Sequence, residues 1–453
     1  MRASLRSAII PAYILLCIVL GGSVQGIWGN MILQLLGIAI IAWSLLTAES
    51  LRPPRAAKPL FAIAGATVAL LLVQLVPLPP HLWQAVPGRE PIVAGFELLG
   101  QLSPWLPLSL APYETIAAAM TLIPPIAVLI GMVVARAYRP GWLLLAILAG
   151  TLAAVLLGAL QVSSASPIQS PWYLYRRTNH GAAVGFFANS NHMGSLLVVS
   201  LAFLAAFVVS LRARAQNEKS ASAVLLLAVA GLVTLIVGVA LNGSLAALLL
   251  GLPVAAISFA LFLPQRRRLR FPVLAVALAS VAAVSVVYIS PLQDRLAPSK
   301  ATSFESRQKF WSNGVSAIGD HWLVGSGVGT FPDIYHRYED KAAVSRTFVN
   351  HAHNDYLEIA LETGVPGVLL MLSFLVWWIG RASAVWRSPA ADRFAQAATI
   401  ASAAILTHSL VDYPLRTAAL AAIFAACLAM MVQPRFRDPE APQDLWPTRH
   451  LTA

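Results

Sequence analysis

Residues 224–270 read "VLLLAVAGLVTLIVGVALNGSLAALLLGLPVAAISFALFLPQRRRLR", with no charged side chain before Arg266, Arg267, Arg268 and Arg270. A bilayer core takes about 20 apolar residues per helix. The run is twice that length and is broken once, at Asn242-Gly243-Ser244. It reads as two spanning helices, about 222–241 and 244–263, joined by a short turn. Alone, the arginine cluster would suit nucleic acid. Flanked by spans, it reads as a cytoplasmic anchor.

The same pattern extends to both ends of the chain. Of 453 residues, 58% are hydrophobic and 11% charged, and the mean hydropathy is +0.73. A soluble domain has no interior for that much apolar surface. The expected class is all-α: a polytopic integral membrane protein with about twelve transmembrane helices. They fall near 8–24, 30–48, 59–77, 115–135, 141–161, 192–211, 222–241, 244–263, 271–290, 364–380, 395–411 and 417–433. In domain terms, helices one to nine occupy 1–290 and a large, partly helical outward-facing loop, periplasmic in a Gram-negative cell, occupies 291–363. Helices ten to twelve occupy 364–437, and 438–453 is a cytoplasmic tail.

Net charge is +12, and its placement follows the orientation rule. Arg2 and Arg6 put the N-terminus inside. Alternation then puts Arg52 and Arg55, Arg136 and Arg139, Arg212 and Arg214, the Arg266 cluster, Arg381 and Arg387, and Arg435 and Arg437 inside too. Both termini are expected on the cytoplasmic side. Cys17 and Cys427 lie in apolar runs far apart, so neither a disulfide framework nor a metal cluster is expected. The first apolar stretch is read as a span and not as a cleaved signal, because a second run follows at once.

The chemistry concentrates in "HAHNDYLEIALETGVPG", His351–Gly367. Asp355 fits an N-cap with Glu358 at N3. Gly364 fits a left-handed helix end, and Pro366 the first turn of the next helix. These roles leave His351, His353 and Asn354 unexplained. They sit before a helix N-terminus, where the dipole favours neutral imidazole, the form a general base needs.

At these residues the chain resembles the O-antigen ligase and O-antigen or exopolysaccharide polymerase superfamily of bacterial membrane glycosyltransferases (GT-C type). The family signature of His, a small amide or hydroxyl residue, nine residues, then Gly-x-x-Gly falls on His353, Asn354, Gly364 and Gly367. "RQKFWSNGVSAIGDHWLVGSGVGTF", "GFFANSNHMGSLL" and "THSLVDYPLR" are similar to further family stretches. The resemblance implies metal-independent transfer of a glycan from undecaprenyl diphosphate to an acceptor hydroxyl on the periplasmic face, without a cofactor. His353 is then the base. Arginine suits a leaving diphosphate, and Arg307 is the family-matched candidate, with Arg176 and Arg177 next. Asn354, His351, Asn191, His192, Asp412 and Arg416 are further substrate-side candidates. Arg416 is the expected partner of Asp412, which stands one turn from His408. Arg337 and Arg346 read as headgroup anchors.

One position departs from the family pattern. Ligases of this type carry an arginine after the serine that opens a middle helix; here Ser244 is followed by Leu245. That tilts the reading toward a repeat-unit polymerase for O-antigen or exopolysaccharide. Ligation to lipid A-core, or to a protein hydroxyl, is the alternative. A coupled transporter would place ionisable groups in mid-membrane, and the centres of these runs carry none. A noncatalytic envelope scaffold is the other class. Partners in the transferase reading are the lipid-linked donor, a glycan or lipid A-core acceptor, membrane lipids, and a chain-length regulator or other assembly proteins. Nucleic acid is not among them.

Overall fold

The computed structural model describes residues 2–48, 50–262, 309–339, 349–388 and 392–433. The span at 271–290, the Arg266 cluster, Arg307, Arg346, Arg435, Arg437 and the C-terminal tail lie outside them.

The apolar runs form helices. They are α1 (Arg2–Leu20), α2 (Ile27–Thr47), α3 (Lys58–Gln74), α6 (Pro112–Met120), α7 (Ile123–Val133), α8 (Pro140–Val162), α9 (Ser190–Arg214), α10 (Glu218–Asn242), α11 (Leu245–Phe259), α14 (Asp355–Arg387), α15 (Arg393–His408) and α16 (Ala418–Val432). Seven described helical stretches are long and apolar enough to cross a bilayer, and shorter apolar helices accompany them. In hydrocarbon every backbone group needs an internal partner, so helices are the expected solution. The stretch expected as one span near 115–135 is two helices. Pro124 and Pro125 have no N–H to give to the preceding turn, and the chain breaks at Thr121–Leu122 between α6 and α7.

The core of the bundle is α9 and α16. α9 packs against α8, α10, α11 and α15; α16 packs against α1, α7 and α15. The contact faces of α15 and α16 are rich in alanine, which lets helices approach closely where lipid supplies no hydrophobic drive. α10 is largely exposed along its length, as a lipid-facing helix would be.

One end of the bundle is basic. There Arg6 of α1 donates to Ala135 O at 2.8 Å, closing the end of α7. The other end carries a polar outer layer. It contains α4 (Pro80–Trp83), α5 (Glu90–Leu98), a two-residue antiparallel pair β1 (Pro77–Leu78) and β2 (Leu106–Pro107), the helical residues 309–321 (α12), and α13 (Phe331–Tyr338).

Two buried glutamines fasten loops to helix ends. Gln74 at the end of α3 donates to Glu362 O at 2.8 Å and accepts from Val328 N at 3.1 Å. Gln161 in α8 donates to Gly185 O and accepts from Val184 N and Gly185 N, each at 2.9 Å. Arg89, 1% exposed, donates to the carbonyls of Leu108 and Gly325, tying the outer segments together.

α14 bends at Gly364, whose φ of +57° and ψ of −152° suit glycine alone. A Cβ there would stand 2.6 Å from Trp322 O. The bend separates a polar segment, 355–363, from the apolar remainder of α14.

Candidate functional site

The starts of α9, α11 and α14 meet the corner between α15 and α16 at the polar end of the bundle. His353 stands just before α14. Its backbone φ is +53°, a left-handed conformation that few non-glycine residues adopt. The turn lets the ring reach back: Nδ1 lies 3.1 Å from His351 O. A carbonyl can only accept, so Nδ1 carries the proton, and in the neutral ring the lone pair is on Nε2. Phe310 of α12 stacks on the imidazole with centroids 5.8 Å apart, and Tyr413 meets it edge-on at 5.1 Å.

The helix cap differs from the expected one. Asn354 is the N-cap, its side chain accepting from Tyr356 N at 3.0 Å and Leu357 N at 3.1 Å. Asp355 is the first helical residue and points inward, accepting from Ser409 Oγ at 2.8 Å. Asn serves as well as Asp at this position. The buried Ser409 and half-buried Arg416 side chains draw Asp355 away from it. Glu358 is therefore one place beyond N3, but it still reaches back. It accepts from Ala352 N at 2.6 Å and from His351 Nδ1 at 3.1 Å.

Arg416 does not pair with Asp412, contrary to the sequence expectation. Its Nη2 lies 2.9 Å from Glu358 Oε2 and 3.0 Å from Glu362 Oε2, and its Nε lies 3.6 Å from Asp355 Oδ1. Asp355, Glu358 and Glu362 share one face of α14 by their spacing, and three buried carboxylates out-compete one. Burial would loosen the Arg416 proton, but Glu358, Glu362 and Asp355 hold it more tightly than usual. Glu362 also accepts from Gly329 N at 3.0 Å. The glycine-rich turn 325–331 thus cradles a carboxylate of its own chain.

Asp412 forms a second cluster. Asn191 Nδ2 donates to it, His192 Nε2 lies 3.6 Å away, and Tyr413 N donates at 2.8 Å. Ser244 Oγ donates to Asn191 Oδ1 at 2.7 Å, which brings the start of α11, and hence Leu245, to this cluster. Burial would raise the Asp412 carboxyl. The His192 imidazole beside it, with His353 and His408 nearby, instead holds it well below the usual carboxylate range. His408 turns its Nδ1 to Ser195 Oγ at 2.5 Å rather than to Asp412.

Tyr413 joins the two clusters and escaped the sequence reading. Its ring centroid lies 4.0 Å from that of His351 and 4.9 Å from that of His192. Burial and Asp412 push its hydroxyl up to about 12, so it stays protonated. The sequence offers Glu358 only a capping role and Glu362 none. The legible signal was their spacing with Asp355, three acids on one face of a segment with no exposed role. Arg176 and Arg177 are exposed in the loop before α9, and their guanidinium groups form no ion pair with the described residues. That loop is bound to the start of α9 by Asn179, which accepts from Ser190 N at 2.8 Å.

Residues 230–372 match the family model described as O-antigen ligase. This stretch is similar to the domain that the family model describes. It supports placement in the O-antigen ligase and polymerase superfamily, and a role in membrane-bound polysaccharide assembly. No curated protein matches the chain. The matched stretch runs from within α10 into α14, so it contains Ser244, His353, Asn354 and Glu358. Asn191, His192, Asp412, Tyr413 and Arg416 lie outside the matched residues yet pack against them.

Proposed function

We propose that the chain is an inner-membrane glycosyltransferase that takes a glycan from undecaprenyl diphosphate and polymerises repeat units of a surface polysaccharide at the periplasmic face. The observation that carries this reading is His353. It lies within the matched domain, its Nδ1 is committed to His351 O at 3.1 Å, and its neutral ring holds the lone pair on Nε2.

In this reaction the acceptor hydroxyl gives its proton to His353 Nε2. The acceptor oxygen bonds to the anomeric carbon as the bond from that carbon to the diphosphate oxygen breaks. Undecaprenyl diphosphate leaves with the electron pair, and attack from the opposite face inverts the anomeric centre. Arg307, with Arg176 or Arg177, meets the charge on the leaving group. Asn191 and His192 line the donor side, and Asn354 and His351 the base. No metal or nucleotide is needed.

Leu245 favours polymerisation, because the ligase-type arginine would stand beside the Asn191–Asp412 cluster. The family description favours a second reading, ligation to lipid A-core. The two part in a deletion strain whose lipid-linked intermediates and lipopolysaccharide are run separately. Single repeat units accumulating without polymer support the polymerase. Full-length lipid-linked chains beside bare lipid A-core support the ligase and overturn the polymerase.

A further inference from the structure

The carbonyl that holds His353 belongs to the same peptide group as the amide that Glu358 holds. Ala352 N–H donates to Glu358 Oε1 at 2.6 Å, and the other end of that peptide, His351 C=O, accepts His353 Nδ1–H at 3.1 Å. The peptide group is planar and conjugated. A carboxylate drawing on its N–H pushes electron density toward its oxygen, so the two hydrogen bonds strengthen each other. The His351 side chain closes the grip, with Nδ1 donating to Glu358 at 3.1 and 3.2 Å. Arg416 Nη2, 2.9 Å away, keeps a cation beside the buried carboxylate. The sequence reading placed Glu358 only as a helix-capping acid.

The geometry points to Glu358 as a positioning residue for His353, acting through the His351–Ala352 peptide to fix the Nδ1–H tautomer and to stabilise the imidazolium once Nε2 has taken a proton. It is a carboxylate–peptide–histidine relay. In a Ser-His-Asp triad the carboxylate touches the imidazole directly; here one peptide group stands between. The proton enters at Nε2 and later leaves from Nε2 to water; Nδ1–H is never transferred. This inference rests on His353 being the base. Other charged or titratable groups around the imidazole are Tyr413 and Asp412 from the α15–α16 corner, His408 from α15, His192 from α9, and His351 and Arg416 around Glu358.

The test is ¹⁵N-histidine NMR on the full chain in lipid nanodiscs, without substrate, so it does not depend on turnover. The His353 signals are assigned by their loss in His353→Asn. Wild type is expected to show a protonated Nδ1 and an unprotonated Nε2 at neutral pH. Glu358→Gln keeps an acceptor for Ala352 N–H but removes the charge. Its His353 is expected to titrate about one pH unit lower, because the imidazolium has lost a stabilising anion. Glu358→Asp keeps the charge at a longer reach and is expected to fall between the two. It also serves if the glutamine variant does not fold. A His353 midpoint and tautomer unchanged in Glu358→Gln, or in Glu358→Asp if only that variant folds, overturn the relay. Glycan synthesis by a His353→Asn strain would overturn the transferase reading instead, and leaves the NMR result standing as a statement about the relay.

Discussion

His353 sits at φ +53°, where an L side chain costs about 1–2 kcal/mol and where Asn and His are tolerated best. Substitution there has two separable effects. His353→Asn keeps the backbone and is expected to reach the membrane at wild-type levels while losing transfer by 100-fold or more. His353→Val adds backbone strain, so its thermal midpoint in nanodiscs is expected to fall below that of His353→Asn; equal midpoints would mean the left-handed turn is not held. Arg416 offers a second contrast. With its side chain 22% exposed beside three buried carboxylates, Arg416→Met leaves those charges without a cation and is expected to destabilise by about 3–5 kcal/mol. The measurement is thermal unfolding followed by tryptophan fluorescence. A loss under 1 kcal/mol would mean Arg416 serves substrate instead. At this scale the sequence was legible where a residue type has few uses: His353, Asn354, Asn191 and Asp412 are gathered at one end of the bundle. The partner of Arg416 was not legible. Distance along the chain favoured Asp412, four residues away, whereas folding presents the whole acidic face of α14.

Gly364 is the joint between the polar start of α14 and its apolar remainder. Its φ of +57° and the nearby Trp322 carbonyl leave no room for a side chain. Gly364→Ala is expected to lower stability by more than 2 kcal/mol and to loosen α12 from the site, read as faster amide exchange across 314–330. Unchanged exchange would mean the bend is incidental. The outer layer also carries a pH dependence. Burial, then the charge of Arg89, pushes His321 in α12 down from 6.5 to about 4. The folded layer therefore prefers neutral imidazole, and its opening takes up a proton. This contribution is full above about 6.5, weakens as pH falls, and is gone near 4. Limited proteolysis of the α12 region is expected to accelerate between pH 6.5 and 4.5, and His321→Gln to flatten that rise. An equally steep rise in His321→Gln would place the effect elsewhere. Element identity was legible from apolar run length. The break between α6 and α7 was signalled by Pro124-Pro125 but masked by the hydropathy of the whole run. The roles of Gln74, Gln161 and Arg89 were not legible, since a single polar residue at a helix end or in a loop has no pattern until its carbonyl partners are placed.

At the scale of the whole molecule, charge and chemistry occupy opposite ends of the helix bundle. The basic residues Arg6, Arg136 and Arg139 lie at one end and the His353 and Asp412 clusters at the other. Alternating basic loops made this polarity readable before any packing was known. The closeness of the two clusters was not readable, because it depends on α9, α14 and α15 meeting through side chains 54 to 221 residues apart. Single-cysteine labelling with an impermeant maleimide is expected to modify position 350 from the periplasm and position 213 only after permeabilisation; the reverse would invert the topology. The central claim is that His353 performs glycan transfer. The most direct measurement is the glycan made by a deletion strain carrying wild type or His353→Asn at matched membrane abundance. Polymer restored by wild type and absent with His353→Asn, with its lipid-linked precursor accumulating, is the predicted result. Equal polymer from both strains would contradict it.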